Sequence, residues 1–203
     1  VKGKNIKELC HKPLISYTLT AATMCPYVDE TIVSTDSEEI ARVANRFGGK
    51  TPFLRPSSLA SDKSKTIDAV LHTLDYLSER QEAYDILCLL QPTSPLRTTE
   101  DISQALRTFI EYGCQPLVSV NEAKSHPILM RTIDGKGHLS NLLDQNSTVR
   151  RQDLNKVYEV NGSIYINLIS EINATTSFND NLIPFIMPLN HSIDIDSEDD
   201  FRL

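Results

Sequence analysis

Residues 85–97, DILCLLQPTSPLR, constrain this chain more than any other stretch. An apolar run, Ile86 to Leu90, is cut off by Gln91-Pro92-Thr93-Ser94-Pro95. Pro92 and Pro95 fix φ at about −65° and carry no N–H, so a buried strand over 86–90 has to stop there. The turn that follows is stiff by covalent geometry rather than by packing. In an open α/β sheet, ligands bind at the carboxyl ends of the strands. A rigid turn bearing an amide and two hydroxyls suits a small polar substrate at such a place. An ordinary strand–helix connection explains the same residues equally well.

The rest of the chain alternates in the same way. Helices are predicted over Leu14–Ala22, with Pro13 at the first position, and over Glu38–Phe47, Thr66–Arg80 and Thr98–Tyr112. Strands are predicted at Glu30–Ser34, Pro52–Leu54, Pro116–Val120, Asn161–Ile166 after an Asn-Gly turn, and Leu182–Met187. Repeated strand–helix–strand units imply an α/β fold, a parallel sheet with helices on both faces. Residues 121–160 break the rhythm, with a hairpin predicted at the Asp134-Gly135 turn and a polar stretch after it. An excursion of this kind is usually functional or an interface.

A chain of 203 residues can bury roughly 70% of its unfolded surface and needs no disulfide staples. Cys10, Cys25, Cys88 and Cys114 show no CxxC pair, so they read as reduced thiols in a cytoplasmic protein. The 27 acidic against 20 basic residues, net −7, argue against nucleic acid as a partner, which requires clustered cations. No apolar run approaches the ~20 residues of a membrane span.

Several side chains stand out by position. Asp36 or Ser37 caps the second helix, or Asp36 borders a ligand pocket at the strand end Ser34-Thr35-Asp36. Near the C-terminus, Ser192-Ile193-Asp194-Ile195-Asp196 alternates, so a strand there puts both acids on one face. Two facing carboxylates repel unless a cation or water separates them. One or two carboxylates, completed by water and phosphate, are what Mg²⁺ accepts. Asp199 and Asp200 suit a helix's first turn.

LLQPTSPLR, LRPSSLASD (54–62), NGSIYI (161–166) and SIDIDSED (192–199) together resemble the cytidylyltransferases that activate sialic acid and related nine-carbon acidic sugars. The resemblance covers nearly the whole chain. It implies a three-layer αβα, mostly parallel, Rossmann-like nucleotidyltransferase sheet in a single domain. Residues 121–160 become an arm that exchanges between two subunits of a homodimer and caps the sugar. It implies transfer of CMP from CTP to the anomeric hydroxyl of the sugar with release of pyrophosphate, N-acetylneuraminate first, legionaminate or another nonulosonate next. It assigns Lys4, Asn5, Asp36, Arg55 and Thr66 to the nucleotide, with Lys4 a point charge for the phosphates. Gln91, Arg151, Tyr165 and Phe178 go to the sugar, Arg151 to its carboxylate with Arg150 as rival. Asp194 and Asp196 go to Mg²⁺ or Mn²⁺. Some relatives carry a second aromatic where this chain has Asn179. Members of the family begin with a buried strand and a loop rich in Gly, Ser, Arg and Lys; neither is present, which leads us to expect an N-terminally incomplete chain. The last helix is expected to be truncated as well. An eight-carbon octulosonate enzyme fits QPTSPLR and NGSIYI less well, and a non-catalytic nucleotide-binding homologue is the reading from another class.

Overall fold

The computed structural model describes residues 3–61, 64–144, 148, 150 and 153–202. After a short turn at Lys4–Ile6, a two-strand hairpin (β1, Glu8–Leu9; β2, Lys12–Pro13) runs into helix α1, Leu14–Thr23. Pro13 stands at the N-cap, where a missing N–H costs nothing. Helix α2 (Glu38–Arg46) is capped by Ser37, whose Oγ accepts from Ile40 N at 3.3 Å. Just past its end lies Gly49, where a Cβ would sit 2.8 Å from Leu19 Cδ2 and 3.0 Å from Val33 Cγ2. Only a glycine lets α2 close this tightly on α1.

Helix α3 (Thr66–Glu79) precedes strand β3 (Ile86–Leu90), which stops at the proline turn as expected. Helix α4 (Thr99–Glu111) opens with a reciprocal cap. Thr98 Oγ1 accepts from Asp101 N at 3.1 Å, and Asp101 Oδ2 accepts from Thr98 N at 2.8 Å. Strand β4 (Leu117–Glu122) follows, then a small hairpin (β5, Arg131–Ile133; β6, Leu139–Asn141), the long strand β7 (Tyr158–Leu168) and β8 (Ile183–Ile186).

The sheet order is β3-β7-β4-β8. Its two faces are read off alternating residues. Ile164, Ile166 and Leu117 pack with Ile102, Ala105 and Phe109 of α4 and Ala21 and Ala22 of α1. Tyr165, Val118 and Val120 pack on the other face against Ile67 and Val70 of α3 and Phe178. Helix, sheet and helix therefore form three layers. Each large side chain fully buried here contributes about 1.5–3 kcal/mol. A smaller cluster (Ile15, Leu19, Ala44) joins α1 to α2.

Four expectations are corrected. The sheet is mixed rather than mostly parallel: β7 lies antiparallel between β3 and β4, while β4 and β8 are parallel. The cause is the 121–157 excursion. It leaves the end of β4 and re-enters beside it, with Ala123 N donating to Val157 O at 2.9 Å, so β7 returns down its partner. Asn161-Gly162 does not begin a strand. It forms a bulge inside β7, where pairing jumps from Val118↔Tyr165 to Val120↔Val160. Glu30–Ser34 makes one bridge, Ile32↔Lys50, and Pro52–Leu54 is irregular. Phe53 turns instead toward α3, its ring 4.9 Å from His72 and 4.7 Å from Tyr76. The 131–141 hairpin turns over five residues rather than two. Asp134 Oδ1 accepts from Lys136 N and His138 N, and Gly137 takes the left-handed conformation (φ 82°).

Candidate active site

The proline turn is fastened from below by a buried cation. Arg97 is 2% exposed. Its Nη1 donates to Gln91 O (3.2 Å) and Ser163 O (2.8 Å), and its Nη2 to Thr18 Oγ1 (2.6 Å). No carboxylate is ion-paired with it among the described residues, and burial pulls its pKa down to about 10. One side chain thus ties α1, the turn and β7 together at the strand tips.

Above it, the β7 bulge is held by side chains in place of ladder bonds. Ser119 Oγ donates to Asn161 Oδ1 (2.6 Å) and accepts from Ile164 N (2.7 Å). Asn161 Nδ2 donates to Ser192 Oγ at 2.9 Å. Gly162 (φ 71°) leaves the side chain of Gln91 room to lie across it; a Cβ there would be 3.7 Å from Gln91 Oε1.

Residues 192–196 form no strand. Ile195 N donates to Thr93 O at 2.8 Å, and Ile195 is 3% exposed. That one bond puts Asp194 and Asp196 on the same side, as the alternation predicts, and sets them against the proline turn. The two carboxyls lie close enough to influence each other's ionisation. Partial desolvation, then Asp196, holds Asp194 above the usual carboxylate range, while the Thr93 hydroxyl pulls it down. Lys4, with Nζ 2.8 Å from Asp196 Oδ1, and then Asp194 hold Asp196 below that range. Two carboxyls beside one lysine make this an acidic spot that a further cation would neutralise. Asp200 opens a short 3₁₀ turn, Asp200–Arg202, as a first-turn acid, and its Oδ2 accepts from Asp196 N at 2.9 Å and Ser197 N at 2.6 Å. Asp199 pairs with Arg202.

A cleft of about 410 Å³ opens beside this spot, lined by Asn121, Glu159, the bulge 160–162, Tyr165, Asn179, Ser192 and Asp194. Its volume is in the range of roughly 300–1,000 Å³ usual for small-molecule sites. Tyr165 OH donates to Asn179 Oδ1 at 2.9 Å, and Phe178, 7% exposed, backs the Tyr165 ring at 6.0 Å. Phe178 is therefore a wall behind the cleft rather than its lining.

The other residues singled out from the sequence lie elsewhere. Asn5 is half-buried beside Lys4. Asp36 is exposed and is not the cap of α2. Arg55 N donates to Thr35 O at 2.8 Å, and Arg55 Nε is buried without a partner, as is Ser34 Oγ. Thr66, the first residue of α3, is exposed, and no side chain caps that helix. No hydrogen bond or ion pair among the described residues joins this group to the acid pair. Arg151 lies outside the described residues; Arg150 is exposed. Thr93, Asn121, Glu159, Asn161 and Ser192 were not anticipated. Thr93 and Asn161 sit in motifs that were recognised, whereas Glu159 and Asn121 meet only through the bulge.

A mixed three-layer sheet with a polar cleft and paired acids at its strand tips defines a nucleotidyltransferase-type α/β protein. The cytidylyltransferase family model matches residues 1–169, and the chain belongs to that family. It is 37% identical over 204 residues, 99% of this chain and 87% of the relative, to the CMP-N,N′-diacetyllegionaminic acid synthase of Legionella pneumophila. It is 32% identical over 207 residues to the N-acylneuraminate cytidylyltransferase of Escherichia coli, covering 100% of this chain and 48% of that protein. A CMP:2-keto-3-deoxy-manno-octonic acid synthetase solved with CTP shares the fold, with a TM-score of 0.59 at 17% identity over 83% of this chain and 68% of that one.

Proposed function

We propose that the protein transfers CMP from CTP to the anomeric hydroxyl of a nine-carbon acidic sugar, releasing pyrophosphate. The observation that carries this reading is the bond from Ile195 to Thr93, which sets the acid pair against the proline turn, with Asp194 lining the cleft. The hydroxyl oxygen attacks the α-phosphorus, one P–O bond forms and the bond to pyrophosphate breaks. Such transfers rest on alignment and charge neutralisation rather than on a covalent enzyme intermediate.

Lys4 supplies a cation beside the acids, with N–H groups left over for phosphate oxygens. Asn5, Asp36, Arg55 and Thr66 frame the nucleotide; the unpartnered Arg55 Nε supports this, because a buried donor gains most from a new acceptor. Gln91, whose amide lies near Gly162, and Tyr165 hold the sugar in this scheme, with Phe178 backing the Tyr165 ring. Arg151 meets the sugar carboxylate in this scheme. Asp194 and Asp196 fit Mg²⁺ or Mn²⁺: both are oxygen ligands, they already compete for one positive charge, and among the described residues no third acid, His or Cys joins them. Such an ion, when bound, neutralises phosphate charge.

A diacylated nonulosonate of the legionaminate type is favoured over N-acetylneuraminate. The 37% relative supports this, as does the amide of Asn179 beside Tyr165. We also infer a homodimer, supported by the exposed Ile133 (72%) and Leu139 (69%) of the 131–141 hairpin. No helix among the described residues is long and apolar enough to cross a membrane, and the four cysteines are free, which suits the cytoplasm.

The test is pyrophosphate release with CTP, Mg²⁺ and a panel of N,N′-diacetyllegionaminate, N-acetylneuraminate and the eight-carbon octulosonate. Turnover with a nine-carbon acid, highest with the diacetyl sugar, is expected. CTP binding without turnover on any of them would establish the non-catalytic alternative.

A further inference from the structure

The polar lining of the 410 Å³ cleft divides into groups that are spent and groups that are not. Asn161 is spent: its Oδ1 accepts from Ser119 Oγ and Ser163 N, and its Nδ2 donates to Ser192 Oγ. Ser192 is spent too, donating to Pro188 O at 3.0 Å. The Tyr165 hydroxyl and Asn179 Oδ1 satisfy each other. Among the described residues, two side chains matter most for what is left over besides Asp194. One is the Asn179 Nδ2 donor. The other is the Glu159 carboxylate, which uses one lone pair on Asn121 Nδ2 at 2.8 Å.

Asn121 gives Glu159 its fixed place. It is 3% exposed, lies directly opposite Glu159 in the β4–β7 register, and its Nδ2 also donates to Glu122 O. The carboxylate and the Tyr165 ring line the same cleft. An ionised carboxylate has about four acceptor sites and no donor. A cleft that must take an anionic sugar therefore presents a fixed anion on one wall.

Building on the reading of this cleft as the sugar site, we propose that Glu159 is a substrate-binding residue that selects orientation. It accepts hydrogen bonds from the exocyclic donors of the sugar, hydroxyl or acylamido N–H. By like-charge repulsion it turns the sugar's own carboxylate to the opposite side. Asn121 positions it. The substrate class that fits is a sugar acid whose exocyclic arm carries N–H or O–H donors.

The test compares wild-type protein, Glu159→Gln and Asn121→Ala in steady-state turnover with CTP and N,N′-diacetyllegionaminate or N-acetylneuraminate, whichever the wild type turns over. Glu159→Gln keeps the shape and the acceptor for Asn121, so its melting temperature stays at the wild-type value. Its sugar KM rises about tenfold, the size of one charge-assisted hydrogen bond. Its kcat and its KM for CTP stay within about twofold, since Glu159 faces the arm rather than the reacting phosphate. A nonulosonate with the exocyclic arm shortened loses about tenfold in the wild type and little in Glu159→Gln. An unchanged sugar KM in Glu159→Gln, or an equal loss with the shortened sugar in both proteins, overturns the proposal. If the wild type turns over no nine-carbon acid, the parent reading fails, and this proposal fails with it.

Discussion

The two ends of this molecule that carry site residues are built differently. Around the proline turn, nearly every polar group has a protein partner. Arg97 joins Gln91, Ser163 and Thr18; Asn161 joins Ser119 and Ser192; Thr93 holds Ile195. Around residues 30–61, the described backbone bonds include the bridge Ile32↔Lys50, a link from Arg55 to Thr35, and side-chain bonds in which Asn45 accepts from Thr51 N and Tyr76 donates to Pro52 O. Among the described residues, Ser34 Oγ, Thr51 Oγ1 and Arg55 Nε are buried there with no partner; in the first region Arg97 Nε is as well, but its two other nitrogens are bonded. Unpaired buried groups carry an energetic penalty of about 1–3 kcal/mol each. The first region is organised by its own bonds. The second has donors and acceptors in reserve, as a surface that gains its order from a ligand would.

The strongest test of this contrast is at the acid pair. Asp194→Asn leaves the melting temperature near the wild-type value, because Asp194 holds up no core contact. It lowers turnover by about 10³-fold, the scale of losing a charge-stabilising group. Wild-type rates in saturating Mg²⁺ would remove the acids from the chemistry.

Next come the two arginines. Arg97→Ala strands the carbonyls of Gln91 and Ser163 in the interior and costs about 3 kcal/mol in urea unfolding. Arg55→Ala, whose Nε has no partner, costs within about 0.5 kcal/mol yet raises the KM for CTP. Equal losses of stability at both positions would erase the distinction between the regions.

The bulge gives a smaller effect. Gly162→Ala has room for its methyl but is forced to φ 71°, which costs about 1–2 kcal/mol. Relief of that strain shifts the bulge that lines the cleft, so sugar KM rises while CTP KM holds. The smallest effect is expected at Glu30, which receives Lys50 and the Tyr84 hydroxyl. Lys50, then Tyr84, hold its pKa below the ordinary 4.5. Its contribution is full above that value and is lost as pH falls through the depressed one. Glu30→Gln therefore lowers stability at neutral pH by about 1 kcal/mol and flattens the acid limb of the stability curve.

Much of this was legible in the residues. The stop after Leu90 follows from two prolines, and the four buried positions Ile102, Ala105, Leu106 and Phe109 follow from helical spacing. The common side of Asp194 and Asp196 follows from alternation, even though the segment is held by one bond rather than by a ladder. What could not be read is long-range. The direction of β7 is set by where the 121–157 excursion re-enters. The bulge is set by Ser119, over forty residues away from Asn161. Glu159 and Asn121 look like ordinary surface residues until the register of β4 and β7 places them together. Arg97 was part of a recognised motif, but nothing local in the sequence shows that its guanidinium is buried without a counter-ion.

The central claim is that the metal-fitting acids and the Gln91–Tyr165 walls serve one cleft. It is tested most directly by proton relaxation of a nine-carbon sugar acid bound to the protein with CTP and Mn²⁺. Mn²⁺ on Asp194 and Asp196 should strongly relax the protons of the bound sugar, and Asp194→Asn should abolish the effect. A sugar that binds wild-type protein with no paramagnetic relaxation would place the ion and the sugar in separate sites and contradict the account.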